Sequence, residues 1–302
     1  MSAPDNLAQL KLSKKEEDLF ESGLAISQNH ATIEEATYIH SVLCQVGLPR
    51  SKVDGITFER RCGEATLLIQ AGKIWNGEMF VQQCVPYGPL PRLILAYINQ
   101  FAILHKTPEI PIGDCPSEFL RMLGKHVSGG EKGTIHNFKK QLHALVACSL
   151  TLGYNAGGCA HTCNSTLIKH YEAWTGAGEN RTLWPGKFVL SSEYFDSLMD
   201  KRAVPIDFRA YTALRYSSLA MDAYSWLASR LFRMKNGKLF LRWINLREQF
   251  GQEYQGKYSD KDFKKAFKKA LTDVQAVYPF ARIEVKTTGI LLLQSHPPIP
   301  CV

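Results

Sequence analysis

Tyr258-Ser259-Asp260-Lys261-Asp262-Phe263-Lys264-Lys265-Ala266-Phe267-Lys268-Lys269-Ala270-Leu271 is the stretch whose reading decides the fold. Wound at about 3.6 residues per turn, Phe263, Ala266, Phe267, Ala270, Leu271 and Val274 gather on one side, and Lys261, Lys264, Lys265, Lys268 and Lys269 on the other. Ser259 or Asp260 is placed to cap the start, and Pro279 lies beyond the end. Ala281, Ile283 and Val285 then alternate with Arg282, Glu284 and Lys286, which reads as a strand. Thr287-Thr288-Gly289 turns the chain and Ile290-Leu291-Leu292-Leu293 returns it. A helix with an apolar back and a lysine front, followed by a hairpin, is the C-terminal half of a winged helix. Taken alone, the same lysines would fit an ordinary solvated face.

The arrangement recurs about 127 residues earlier, where Ala96-Tyr97 falls on Ala223-Tyr224 and Gly124 on Gly251. Each pair sits in the same context: a long helix, a short apolar strand, then a short helix ending in glycine. Phe138-Lys139-Lys140-Gln141-Leu142 then matches Phe263-Lys264-Lys265-Ala266-Phe267 after a slightly longer loop. Single glycine stops are common, so the weight rests on the joint match in order and spacing. Working outward, helices are expected over 91–105, 116–123, 135–148, 219–234 and 244–250, and strands near 149–154, 166–174, 187–190 and 239–243. Thr134 is expected to cap the helix that begins at Ile135. A hairpin is expected at 57–70, and an arm or short helix at 1–35. The fold class is therefore α+β, with two tandem winged-helix (helix-turn-helix) domains behind an N-terminal extension. The boundaries are 1–35 for the arm, 36–203 for the first domain and 204–302 for the second. Two stacked helical repeats forming a protein-interaction scaffold are the competing reading.

In a helix-turn-helix the last helix enters the major groove, which displays distinguishable donors and acceptors. In the first unit, His136, Asn137, Lys139, Lys140 and His143 occupy the outer face of that helix. Asn suits adenine and Lys suits guanine, so this helix is assigned most of the base reading. The second helix offers only Lys261, Lys264, Lys265, Lys268 and Lys269, which neutralise phosphates and supply affinity. Arg282 and Lys286 on the hairpin reach for the backbone or the minor groove.

The 302 residues fit two domains at roughly 150 residues each. A hydrophobic content of 45% with 21% charged residues is ordinary for a chain with a real core. The net charge of +8 and pI near 9.0 weakly favour a polyanionic partner. No apolar run reaches the roughly 18 residues of a membrane span, so no membrane partner is expected. Met1-Ser2-Ala3-Pro4-Asp5 lacks the layout of a signal peptide, and the eight scattered cysteines read as reduced thiols, so a cytoplasmic location is expected.

His40-Ser41-x-Leu43-Cys44-Gln45, Phe58-Glu59-Arg60-Arg61, Ala65-x-Leu67-Leu68-Ile69-x-Ala71-Gly72 and Pro86-Tyr87-Gly88-Pro89-x-Pro91-Arg92-Leu93-Ile94-Leu95-Ala96 resemble plasmid-encoded RepA-type replication initiators. So do Leu183-Trp184-Pro185, Val204-Pro205-Ile206-Asp207-x-Arg209-Ala210, Ala220-Met221-Asp222-Ala223-Tyr224-x-Trp226-Leu227 and Ala276-Val277-Tyr278-Pro279-x-Ala281-Arg282. The resemblance covers roughly residues 36 to 298. It implies an initiator that binds repeated double-stranded sites in a plasmid origin, helps open adjacent duplex, recruits host initiator and helicase proteins and often represses its own gene. It also implies two winged-helix domains and a switch between homodimer and monomer. Residues 155–165, with Gly157-Gly158-Cys159-Ala160-His161-Thr162-Cys163, depart from the family pattern.

Enzymatic chemistry is weakly signalled. Cys159, His161 and Cys163, with His170 as a fourth ligand, invite zinc, but the spacing is not that of a finger and no second close cysteine pair exists. Gly129-Gly130-Glu131-Lys132-Gly133-Thr134 echoes a phosphate loop without its Gly-Lys-Ser/Thr order or a preceding apolar strand. A nicking initiator needs a His-x-His pair, which the nine histidines do not supply. The expectation is a non-enzymatic DNA-binding initiator with no cofactor and no metal. A transcriptional repressor of the same architecture is the alternative, and an origin-nicking nuclease a more distant one.

Overall fold

The computed structural model describes residues 13–29, 31–32, 35–63, 65–113, 115–124, 127–130, 133–156, 159–171, 186–200, 203–231, 233–234 and 237–299. The chain begins with α1 (Lys14–Gln28), β1 (Ala36–His40), α2 (Ser41–Val46), the hairpin β2 (Thr57–Cys62) and β3 (Ala65–Gln70), and the small hairpin β4 (Lys73–Trp75) and β5 (Phe80–Gln82). Then come α3 (Pro89–His105), β6 (Glu109–Pro111), α4 (Pro116–Met122), α5 (Thr134–Ala147), β7 (Ser149–Ala156), β8 (Cys159–Thr166), β9 (Ile168–Tyr171), β10 (Lys187–Leu190) and α6 (Ser192–Met199). The second half holds β11 (Ala203–Asp207), α7 (Phe208–Ala213), α8 (Ser218–Leu231), β12 (Lys238–Arg242), α9 (Trp243–Phe250), α10 (Ser259–Val277), β13 (Ile283–Val285) and β14 (Gly289–Leu293).

In the second half the last three strands form one antiparallel sheet in the order β12–β14–β13, with Leu241 opposite Ile290 and Val285 also opposite Ile290. Helix α10 lays Phe263, Phe267, Ala270, Leu271, Val274 and Val277 into the core, the face its sequence spacing predicts. Phe267 meets Phe250 of α9 at 5.2 Å, and Phe250 meets Trp226 of α8 edge-on at 5.3 Å, so three helices share one aromatic seam. The cap differs from expectation. Tyr258 occupies the N-cap without a side-chain bond, and the Asp260 carboxylate turns to Arg247 at 2.8 Å.

The first half repeats the pattern: α3, β6, α4 and α5, with β9 and β10 joining β6 in the order β6–β10–β9. Phe119 of α4 and Phe138 of α5 are both fully buried and lie 5.6 Å apart. Thr134 is the first residue of α5 and not its cap. Gly133 is the cap, and the Thr134 hydroxyl accepts from the Ser128 backbone N–H at 2.8 Å.

A larger difference follows α5. Within the strand expected at 166–174, of which 172–174 lie outside the described residues, the chain passes from one sheet to another, because β8 ends at Thr166 and β9 starts at Ile168 around buried Leu167. Strands β7 and β8 form an inserted hairpin that continues the β2–β3 hairpin as β2–β3–β7–β8. Strand β8 lies at the sheet edge, and all but half-buried Ser165 of its residues are exposed, so it shows none of the apolar alternation that marks a strand in sequence.

The halves are tied together. β1 pairs antiparallel with β11, from Ala36 opposite Asp207 to His40 opposite Ala203, and β11 straddles the expected boundary between residues 203 and 204. Helix α1 opens with a capping box in which Ser13 and Glu16 satisfy each other's backbone N–H groups. It packs along the C-terminal part of α10, with Lys15 on Asp273 at 2.5 Å. Gly23 allows the approach, since a Cβ there would lie 2.2 Å from the Ala276 carbonyl oxygen. One continuous set of buried apolar side chains runs through both halves.

Candidate nucleic-acid interface

The core stripe of α10 fixes which of its lysines reach solvent. Lys261, Lys265, Lys268 and Lys269 are exposed and Lys264 is half-buried. Trp243, the first residue of α9 and only 7% exposed, supports two of them. The Lys264 and Lys268 Nζ atoms stand 5.6 and 5.7 Å from its ring centroid. Each such contact is worth about 0.5–1 kcal/mol at an exposed site. The Trp243 indole N–H donates to the Thr287 carbonyl at 3.1 Å, and its backbone N–H to the Thr288 carbonyl at 3.2 Å. One side chain thus links the lysine row to the turn of the β13–β14 hairpin. In sequence Trp243 reads as the end of an apolar strand, so nothing there flags it.

On the hairpin, Arg282 is exposed, whereas Lys286 pairs with Glu284 at 2.6 Å. Lys269 belongs to the flank that α1 borders. The Glu16 carboxyl lies below its ordinary range, first through hydrogen bonds from Ser13 and to a lesser degree through the Lys269 charge. Solvent-facing α10 is therefore bounded by α1 on one side and by Trp243 with the hairpin turn on the other.

On α5, His136, Asn137 and Lys140 are exposed and lie together at its N-terminal end. Lys139 is half-buried, and burial pulls its amine below the usual lysine range. His143 is half-buried, with its ring edge-on to Tyr171 of β9 at 5.8 Å. Burial, followed by the Lys139 charge, lowers its imidazole pKa. Five candidates placed on one face by sequence thus divide into three at the surface and two half-buried, of which His143 packs on β9.

Cys159, His161 and Cys163 sit at alternate positions of exposed β8. At about 3.3 Å per residue, the two cysteines are separated by roughly 13 Å along the strand, too far for one ion with ligand bonds of about 2.3 Å. Among the described residues no group of His, Cys, Asp or Glu is clustered as a metal site. In the glycine-rich loop, Glu131 and Lys132 lie outside the described residues, and Ser128 and Thr134 close the ends by reciprocal bonds of 2.8 and 3.0 Å.

This fold has a solved counterpart. The crystal structure of domains 2 and 3 of RctB matches with a TM-score of 0.51 and 10% sequence identity, over 83% of this chain and 95% of that one. At that identity the likeness is one of fold. No curated protein sequence matches the chain. The family comparison gives the class, that of the RepA-type replication initiators. Residues 85–243 match the family described as plasmid encoded RepA protein, and the chain belongs to that family. The matched span runs from just before α3 through the start of α9, and so takes in all of α5. No described helix is long and apolar enough to cross a membrane.

Proposed function

We propose that each half is a winged-helix unit and that the chain, as a plasmid replication initiator, binds repeated double-stranded sites in its origin through α5 and α10. The observation that carries this reading is the second-half topology. A helix, a strand, two helices and a hairpin with sheet order β12–β14–β13 leave α10 with its lysines outward beside the hairpin turn. A duplex presents one phosphate charge per roughly 1.7 Å of axis, and a cationic helix of this kind gains affinity by releasing the condensed counterions. In this reading α10 supplies mostly phosphate contacts. His136, Asn137 and Lys140 of α5 read base edges, while Lys139 and His143 support them from behind. Arg282 and Lys286 approach the backbone or minor groove. Host initiator and helicase proteins are then recruited to the opened duplex, and autorepression follows wherever a site overlaps the gene's own promoter. The protein acts without catalysis of its own and shifts between homodimer and monomer.

Footprinting on DNA flanking the gene tests this. Protection of regularly repeated sites at moderate salt is the expected result, and equal retention of scrambled duplex contradicts site-specific initiation. Incubation of supercoiled origin DNA with divalent metal separates this reading from a nuclease, since intact supercoils are expected.

A further inference from the structure

Beside the second unit an open cleft of about 700 Å³ lies between Arg61 near the end of β2 with Gly63 of the turn after it, and Arg247, Glu248, Gln252 and Gln255 of α9 and the loop that follows. The turn is held there. The Gln252 side-chain amide donates to the Arg61 carbonyl and to the Glu248 carbonyl, each at 2.7 Å. Deeper in the same hairpin, Arg60 is buried and donates to the Val46 and Leu48 carbonyls at 3.1 Å, so the strand that carries Arg61 is anchored in the core.

The two arginines of the cleft differ in what they have left to bind. Arg247 is committed to the Asp260 carboxylate and to the Tyr254 carbonyl, both at 2.8 Å. Arg61 is exposed, and its Nε donates to the Gly63 carbonyl at 3.0 Å, which orients the guanidinium. Among the described residues no carboxylate is paired with it, although Glu248 shares the cleft wall. The α9–α10 loop that frames the cleft leads directly into α10 and also exposes Lys257 and Tyr258. In a helix lying in the major groove, the turn before it approaches the flanking phosphates. A planar guanidinium with free N–H groups matches the two oxygens of a phosphodiester.

We propose that the β2–β3 turn is an arm lent by the first half of the chain to the second DNA-binding unit, with Arg61 contacting a backbone phosphate of the duplex that α10 enters. This rests on the reading of α10 as a DNA-facing helix. It adds that the second unit alone lacks part of its interface, because one phosphate contact comes from residues far earlier in the chain.

The test is a salt titration of the full-length protein on a fluorescent duplex containing the repeated origin sites, comparing wild type, Arg61→Ala and Arg61→Lys. Arg61→Ala is expected to lower the slope of log K against log salt by about one unit, equally on every duplex bound. Arg61→Lys is expected to keep the wild-type slope, since the charge remains. Equal melting temperatures confirm that a surface side chain alone has changed. A wild-type slope for Arg61→Ala overturns the arm while leaving α10 in place. A wild-type protein that binds no duplex overturns both.

Discussion

Arg92 of α3 and Asp222 of α8 meet in the interior as a two-pronged pair, Nε to Oδ1 at 2.7 Å and Nη2 to Oδ2 at 2.8 Å. They are 3% and 7% exposed, and they lie on the corresponding first helices of the two repeats. The other Arg92 N–H groups go to the carbonyls of Pro49, Gly88 and Leu48 at 3.1, 2.7 and 2.6 Å. Arg50 and Arg60 reach Glu253 nearby, so three guanidiniums share two carboxylates. The Arg60 guanidinium is pushed down to about 10, first by burial and then by Arg50. Gly47, at a φ of 61°, fits under the Asp222 carboxylate, which a Cβ there would approach to 3.1 Å.

This pair fixes one repeat against the other, and its removal is expected to be costly. Asp222→Asn strands a buried guanidinium and should destabilise the fold by about 3–5 kcal/mol. The double change Arg92→Met with Asp222→Leu should recover most of that loss. Chemical denaturation of the wild type and the two variants measures both effects, and a double variant as weak as the single would show that the carbonyl contacts to Arg92 matter more than the ion pair.

Lys265 points outward with no described partner on its face of α10, so its charge is available to phosphate. Lys265→Ala should weaken binding to all sequences alike and reduce the salt slope by about one unit. An unchanged slope removes Lys265 from the interface.

Asn137 has the group geometry to read adenine and stands exposed near the start of α5. Asn137→Ala should relax preference at a single base position, at a cost of about 1–3 kcal/mol on the native site. Competition with every single-base variant of the site checks this. A uniform drop across the set assigns Asn137 to the backbone instead.

Trp243 joins the lysine row to the hairpin turn through its ring and its indole N–H. Trp243→Phe keeps a ring but leaves the Thr287 carbonyl without its donor, for a loss of about 1 kcal/mol. Amide exchange at Lys286 to Gly289 should accelerate, with little change in the β2–β3 hairpin. Exchange that stays slow would mean the turn is held by the sheet alone.

His143 gives a pH signature. Burial lowers its imidazole pKa in the folded state, so the unfolded chain binds a proton at higher pH than the folded one does. The associated stability is intact above the ordinary histidine value near 6.5 and falls as pH drops below it. Melting temperatures at pH 7.5 and 5.5 should therefore differ less in His143→Gln than in wild type. Identical pH dependence in the two proteins would place the titration elsewhere.

Much of this was legible in sequence, for definite reasons. Helix α10 could be read because Phe263 and Phe267 oppose five lysines at helical spacing, and β14 because Ile290 to Leu293 follow a turn. Strand β7 could be read at 149–154, but β8 and the hairpin it forms with β7 could not. Cys159 to Thr166 lies at a sheet edge, so its residues carry no apolar period to announce a strand. Nor could the pairing of β1 with β11, since register between distant segments leaves no local mark. In the candidate site, helical periodicity placed Lys140 and Asn137 at the surface but put His143 with them. The ring of Tyr171, contributed by a later strand, decides that His143 faces inward.

The role of α10 as a cationic ridge against duplex DNA is tested most directly by one comparison. Lys261, Lys264, Lys265 and Lys268 are changed together to Ala, the fold is verified by circular dichroism, and equilibrium binding to origin duplex is measured from low to moderate salt. Affinity for every duplex is predicted to collapse, together with most of the salt slope. A variant that binds origin DNA with wild-type affinity and slope would contradict the assignment of α10 to the interface.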